Sequence, residues 1–387
     1  MTFVGKCHAL SAATVAAMRS RPAPLRLVHA FAPILCAVLG APAVQAAPAA
    51  CDHGTWRGTV GTTPVSIELS PAEGERPAMG RYYYRASLAD LTLVPDAKTG
   101  QWQELDPKEK LTGRLSLSCD ASTLSGEWQS VDGAKRLPIT ASAIKDTDYN
   151  ATRKAGLKPK VVKTGQVGGQ RFEELSFPLP GASGKKDADT DAIHGGIRLA
   201  GSTPGIAAVN ATLLARSIDA VMDHLDCAAM GRRDRGPDAG FSSSQTQSVL
   251  AWNAAFVVIN TWNEGYCGGA HPWHDNSVTT YRLDTGAEAE VQSWLRAEWN
   301  DEISKDSKLG RLLMKAYAEG GGNGNEAECR DEVRWMGRFI HPAPKELVFH
   351  TQASYAMTPC AEDVALPLDA VWPFLTPAGQ QALKTFR

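Results

Sequence analysis

Six of the eight cysteines, Cys51, Cys119, Cys227, Cys267, Cys329 and Cys360, follow an apolar leader and fall along the chain as three neighbouring pairs. None stands in a Cys-x-x-Cys or similarly tight spacing, so the sequence offers no thiolate ligand set for a metal or a redox couple. Cysteines kept in this number in an exported chain act as covalent staples. Many pairings are open to six cysteines, and the sequential one is the expectation: Cys51–Cys119, Cys227–Cys267 and Cys329–Cys360. The first would close the N-terminal region end to end, a constraint of about 4 kcal/mol at best by loop entropy.

The leader sets the compartment. Residues 1–46 carry Lys6, Arg19, Arg21 and Arg26 and no acidic residue. An apolar run from Leu27 to Leu39 follows, broken by His29 and Pro33, and then Ala43-Val44-Gln45-Ala46. A charged start, a short apolar core and a small-residue end read as a signal peptide cleaved near Ala46. Met18 is an alternative start to Met1. The apolar core is shorter than the ~20 residues of a membrane span, and no later stretch reads as a transmembrane segment. The expectation is a soluble, periplasmic protein. Lipidation at Cys51 is the weaker alternative, because Pro48 stands where a lipobox wants an aliphatic residue. Loss of the leader's four positive charges takes the formal net charge from −2 to about −6. That balance argues against nucleic acid as a partner.

About 340 residues after the leader suggest two domains. From Thr55 to Ile144, short alternating strands such as Val65–Leu69, Leu115–Cys119 and Leu137–Ala141 are punctuated by Gly, Pro and Asp, with a hairpin turn at Asp132-Gly133. The expected fold class is α+β: a small antiparallel β-barrel or sandwich over residues 47–145, a linker over 146–164, and an α+β domain with an antiparallel sheet and flanking helices over 165–387. In that second domain Leu214, Ile218, Met222 and Leu225 recur at helical spacing, with Asn210 as a cap and an end near Cys227. Strands are expected at 172–177, 254–259, 278–283, 346–350 and 363–368, and helices near 291–299, 308–318 and 376–386.

The most specific local pattern is Tyr266-Cys267-Gly268-Gly269-Ala270-His271-Pro272-Trp273. Paired glycines permit positive φ or close backbone approach, Pro272 stiffens the exit, and Cys267 can pin the turn to the helix near Cys227. His271 is then held on a rigid turn, either as part of a contact surface or merely shaping the backbone. His271 and His274 could also share a metal with Asp275 or Glu264, but zinc sites show a more organised ligand set. No metal and no cofactor are expected. No Gly-x-Ser-x-Gly exists for a serine hydrolase. Gly320–Gly324 is not followed by the Gly-Lys-Ser/Thr of a phosphate loop. Asp187, Asp189 and Asp191 make only half a calcium loop. No catalytic residue is assigned.

The Cys-Gly-Gly-Ala-His-Pro turn and the Asp284-Thr285-Gly286 after it resemble a domain of uncharacterised function in bacterial exported proteins. So does the tail Leu347-Val348-Phe349, Tyr355, Pro359 and Val364–Leu368. That domain forms the extracytoplasmic part of lysozyme-sensing anti-sigma factors and accompanies some peptidoglycan deacetylases. The likeness covers about residues 165–387. It implies a binding role, and the expectation is a non-enzymatic one toward a lysozyme-like hydrolase or cell-wall glycan. The contact surface expected from the residues is the stapled turn, Tyr266, Gly268, Gly269, His271 and Trp273. A metal-assisted envelope hydrolase and a structural accessory protein are the alternatives. The N-terminal module is similar to small exported β modules with a Gly-x-Tyr-Tyr-Tyr strand. There Tyr82 and Tyr84 share one face and Tyr83 takes the other, either as core or as an aromatic platform.

Overall fold

The structure, a computed structural model, describes residues 51–106, 109–178, 195–235, 241–320 and 323–387. The signal peptide expected over 1–46 and the acidic run Asp187–Asp191 lie outside the described residues.

Eight antiparallel strands close into a barrel, each paired with the next in sequence and the last with the first. They are β1 (Gly54–Val60), β2 (Thr63–Ser70), β3 (Met79–Tyr84), β4 (Leu91–Asp96), β5 (Gln101–Leu105), β6 (Leu111–Cys119), β7 (Thr123–Ser130) and β8 (Arg136–Ala143). Register carries one set of alternating side chains inward around the ring: Trp56 opposite Ile67, Ile67 opposite Tyr82, Trp102 opposite Leu115 and Leu124 opposite Ala141. An eight-stranded barrel is wide enough to be filled by its own side chains or to hold one small ligand. Here Trp56, Ile67, Tyr82, Leu93, Trp102 and Leu115 fill it. Tyr82 and Tyr84 do face inward together, and Tyr83 packs outside against Tyr149. The Asp132-Gly133 turn joins β7 to β8, with Gly133 at φ +74° and the Asp132 carboxylate accepting from Ser130 and the Ala134 amide.

The segment read as a linker is built. It holds a 3-10 turn (Asp146–Asp148), α1 (Ala151–Gly156) and most of β9 (Lys160–Val167). Its inward residues are Tyr149, Arg153 and Leu157, spaced by four, so a helical period exists but its middle member is charged. That charge hides the period from any apolar pattern.

Beyond it, β10 (Gln170–Ser176) lies between β9 and β11 (Gly195–Leu199). A second sheet has the order β12 (Ser242–Trp252), β13 (Phe256–Tyr266), β14 (Trp273–Arg282), and a third has β15 (Arg334–Ala343), β16 (Glu346–Gln352), β17 (Val364–Pro367). All pairings are antiparallel. β12 was missed in the sequence because Ser242-Ser243-Ser244-Gln245-Thr246-Gln247-Ser248 offers no apolar alternation. Its inward Gln245 and Gln247 are buried and bond each other, Asn263 and the Ile197 amide.

The long helix α2 (Pro204–Arg235) corrects the expected cap and length. Thr203 Oγ1 accepts from the Ile206 amide and Pro204 opens the first turn, a start signal stronger than Asn210. Asn210 instead bridges both backbone groups of Leu199. The helix also runs past Cys227. By length and composition α2 could cross a membrane, contrary to the expectation that no such stretch follows the leader. Its alanines raise the hydropathy, while its face Ile206, Val209, Leu213, Val221, Met222 and Leu225 is buried on the sheets. That placement is the usual one for a core helix.

Shorter helices complete the third core: α3 (Lys308–Glu319), capped by the Ser307 hydroxyl on the Gly310 amide, α4 (Ala327–Glu332), α5 (Leu368–Val371) and α6 (Pro377–Leu383). The helix expected near 291–299 is two 3-10 turns. Trp335, Leu347, Phe349, Leu313 and Val371 centre this core. Disulfides join Cys51 to Cys119, Cys227 to Cys267 and Cys329 to Cys360, the sequential set. Such bonds suit an oxidising, exported environment.

Candidate functional site

The hairpin joining β13 to β14 carries the glycine-rich turn, and the Cys227–Cys267 disulfide ties it to α2. Gly268 sits at φ +96° and Gly269 at φ +99°, backbone that L side chains rarely adopt. A Cβ on Gly268 would also stand 3.2 Å from the Phe241 ring, whereas one on Gly269 would meet open space. Phe241 packs edge-on to Tyr266 at 5.1 Å, and the Tyr266 hydroxyl donates to the Gly269 carbonyl at 3.1 Å. Tyr266 therefore folds back over its own turn.

His271 places Nδ1 3.0 Å from the Pro272 carbonyl, a contact in which the ring N–H donates. Its ring stacks on Tyr355 with centroids 4.3 Å apart and planes 18° apart. Tyr355 is 63% exposed and begins the 3-10 turn Tyr355–Cys360, which the third disulfide anchors. Trp273 follows at the start of β14 and is 40% exposed. On the opposite face of the hairpin, Trp262 stacks on His274 at 5.3 Å and donates its indole N–H to Glu264 at 3.0 Å.

The five residues singled out in the sequence thus share one hairpin tip. The fold adds Tyr355, Trp262 and His274 to it. Tyr355 comes from a segment far along the chain; the sequence marked it within the family-like tail, but nothing local placed it against His271. The two histidines each stack on a different aromatic ring. Among the described residues no group of three or more His, Cys, Asp or Glu is placed to hold a metal ion.

Other polar clusters lie elsewhere. Inside the barrel, Glu104 accepts from the Tyr82 hydroxyl, from Trp128 Nε1 at 2.6 Å and from Thr112 Oγ1 at 2.5 Å. Burial, then the Glu104 charge, pushes the Tyr82 hydroxyl far above its usual range. On the third sheet His341, His350 and Asp363 form a chain of hydrogen bonds. An open depression beside Glu302, Ser304, Lys305 and Arg334 lies at the end of α4, where the Lys305 ammonium donates to the carbonyls of Arg330 and Asp331. Those contacts cap a helix end.

No protein-family profile matches the chain, and no curated protein matches it. Two solved structures of DUF3298 family proteins are similar to it. One, from Pseudomonas aeruginosa PAO1, shares 14% identity over 36% of this chain and 63% of its own, with a TM-score of 0.28. The chain thus spans less than two thirds of that protein's length. The other, from Bacteroides fragilis NCTC 9343, shares 12% identity over 60% of this chain and 97% of its own, with a TM-score of 0.36.

Proposed function

We propose that this protein is a non-enzymatic binding protein of the bacterial periplasm, and that its contact surface is the aromatic tip formed by Tyr266, His271, Trp273 and Tyr355. The observation that carries this reading is the stacked, exposed His271–Tyr355 pair beside Trp273 on a disulfide-pinned turn. Aromatic side chains bring large contact area with few rotors, so an aromatic surface held rigid before contact loses little entropy on binding. The partner is a lysozyme-like, cationic cell-wall hydrolase. The likeness of the turn and tail to the domain of lysozyme-sensing anti-sigma factors supports this, as does the acidic charge of the mature chain.

Calorimetry of the mature protein against hen-type lysozyme, at two salt concentrations, tests the reading. Saturable binding that survives the higher salt is expected. Alanine at His271, Trp273 and Tyr355 together should weaken it about tenfold or more. Binding to peptidoglycan fragments instead of lysozyme would move the partner class to glycan. Binding unchanged in the triple variant would remove the tip as the surface.

A further inference from the structure

The β13–β14 hairpin ends its sheet. β14 pairs on one side only, with β13. At its far end, Thr280 and Arg282 are bonded by the returning chain, through Ala289 N to Thr280 O and Arg282 N to Ala287 O. From Trp273 to Thr279 the outer edge has no backbone partner among the described residues, and Trp273–Ser277 are all exposed. Unpaired strand edges invite another strand, and proteins blunt them with proline, with bulges, with a covering segment or with charged side chains, lysine above all.

The terminal strand β9 is blunted in that way, with Lys160 and Lys163 in it and Lys158 just before it. β14 is not. No lysine or arginine occurs anywhere from Phe241 through Tyr281, in a chain with 40 such residues among 387. None occurs in the adjoining stretch from Ala353 to Asp363 either, which brings Tyr355 against His271. Within these two stretches the charges are Glu264 and Asp275 on the hairpin and Glu362 and Asp363 beyond Tyr355, while Arg232 and Arg235 stand at the neighbouring end of α2. Side chains alternate along the strand, so Trp273, Asp275 and Ser277 share one face of the edge. An incoming strand would meet an aromatic, then a carboxylate, at every second position. Opposite charges and apolar–aromatic pairs are the favourable cross-strand neighbours.

We infer that the free edge of β14 takes up an extended segment of a partner protein, bearing lysine or arginine alternating with apolar residues, as an added antiparallel or parallel strand. This rests on the binding role proposed above and specifies its mode: main-chain hydrogen bonds supply affinity, while Trp273 and Asp275 select the side chains.

Hydrogen exchange of the full mature protein with two probes tests it. The first probe is an octapeptide alternating lysine and valine; the second is hen-type lysozyme. Saturable peptide binding with slowed exchange of the amides of residues 273–279 is expected. Asp275→Lys and Ser277→Lys, which give β14 the edge chemistry of β9, should each weaken the peptide about tenfold. Peptide binding without protection of that edge, absence of saturable peptide binding, or indifference to both lysine variants would overturn the inference. Lysozyme bound with residues 273–279 still exchanging freely would also overturn it, while leaving the binding role intact. No lysozyme binding alongside edge-protecting peptide binding would uphold strand addition and reject lysozyme as the partner.

Discussion

His341 Nδ1 lies 2.9 Å from His350 Nε2, and His350 turns its other ring nitrogen to Asp363 at 2.8 Å. The Asp363 carboxylate can only accept, so His350 Nδ1 carries a proton. The two rings then share one hydrogen between facing nitrogens. His341 is buried at 6% exposure, while Asp363 reaches the surface. Burial, and then the neighbouring His350, pulls His341 down to about 4.

A depressed histidine makes stability pH-dependent in one direction. Unfolded, His341 takes a proton near 6.5; folded, it resists until about 4. Stability is therefore full above pH 6.5 and falls as pH drops toward 4, by on the order of 3 kcal/mol. Urea melts at pH 7, 5.5 and 4.5 should show this slope. His341→Gln should flatten it, and an unchanged slope in that variant would assign the acid loss to other groups.

Asp90 and Arg153 form a buried ion pair between the barrel and α1. Asp90 also accepts from Tyr149 at 3.0 Å, and the Arg153 guanidinium lies 4.0 Å over the Tyr83 ring. Burial opposes the Arg153 charge, yet Asp90 and Tyr149 hold its pKa above the usual value. Arg153→Met leaves the buried Asp90 carboxylate with only Tyr149 and a guanidinium, Arg81, at 3.9 Å, and should cost about 3 kcal/mol, measured by chemical unfolding. Adding Asp90→Leu to that variant should recover much of the loss.

Glu104 satisfies three neutral donors inside the barrel. Glu104→Ala leaves the Trp128 indole without an acceptor and the Tyr82 hydroxyl with only the Tyr84 hydroxyl, at 3.3 Å. A loss of about 2–4 kcal/mol is expected from one orphaned donor, one weakened bond and the space left behind. Glu104→Gln keeps an acceptor oxygen and should cost less, so thermal melts of the two variants order the effects.

Gly268 and Gly269 share positive φ but not surroundings. Alanine at either meets backbone strain of about 1–3 kcal/mol. At Gly268 it also pushes on Phe241, which supports Tyr266. Gly268→Ala should therefore be the more destabilising of the two and the more damaging to lysozyme binding. Equal effects in melts and calorimetry would place the constraint in φ alone.

Much of this architecture was legible in the residues. The antiparallel β module announced itself through period-two strands and glycine-marked turns, because one inward face must be apolar and the pleat alternates. Its closure as a barrel rather than a sandwich was decided by the pairing of β8 with β1. The sequential disulfides matched the order in which the chain's local units close. What stayed hidden was polar at the point of burial. Arg153 masked the helical spacing of 149, 153 and 157, and the Ser/Gln/Thr run of β12 gave no apolar signal although Gln245 and Gln247 are buried. Single-residue patterns cannot report a polar group whose partner lies on another element.

The candidate site divides along the same line. Sequence alone marked the turn: two glycines, histidine, proline and tryptophan restrict the backbone locally, through φ and ring closure, while the partner of Cys267 was one expectation among many pairings. Tertiary structure decided that Tyr355 comes to stack on His271, that Trp262 meets His274 across the hairpin, and that β14 ends its sheet with an open edge. Those outcomes depend on which strands pack beside which. That choice is made by burial summed over the whole molecule, not by any short run of residues.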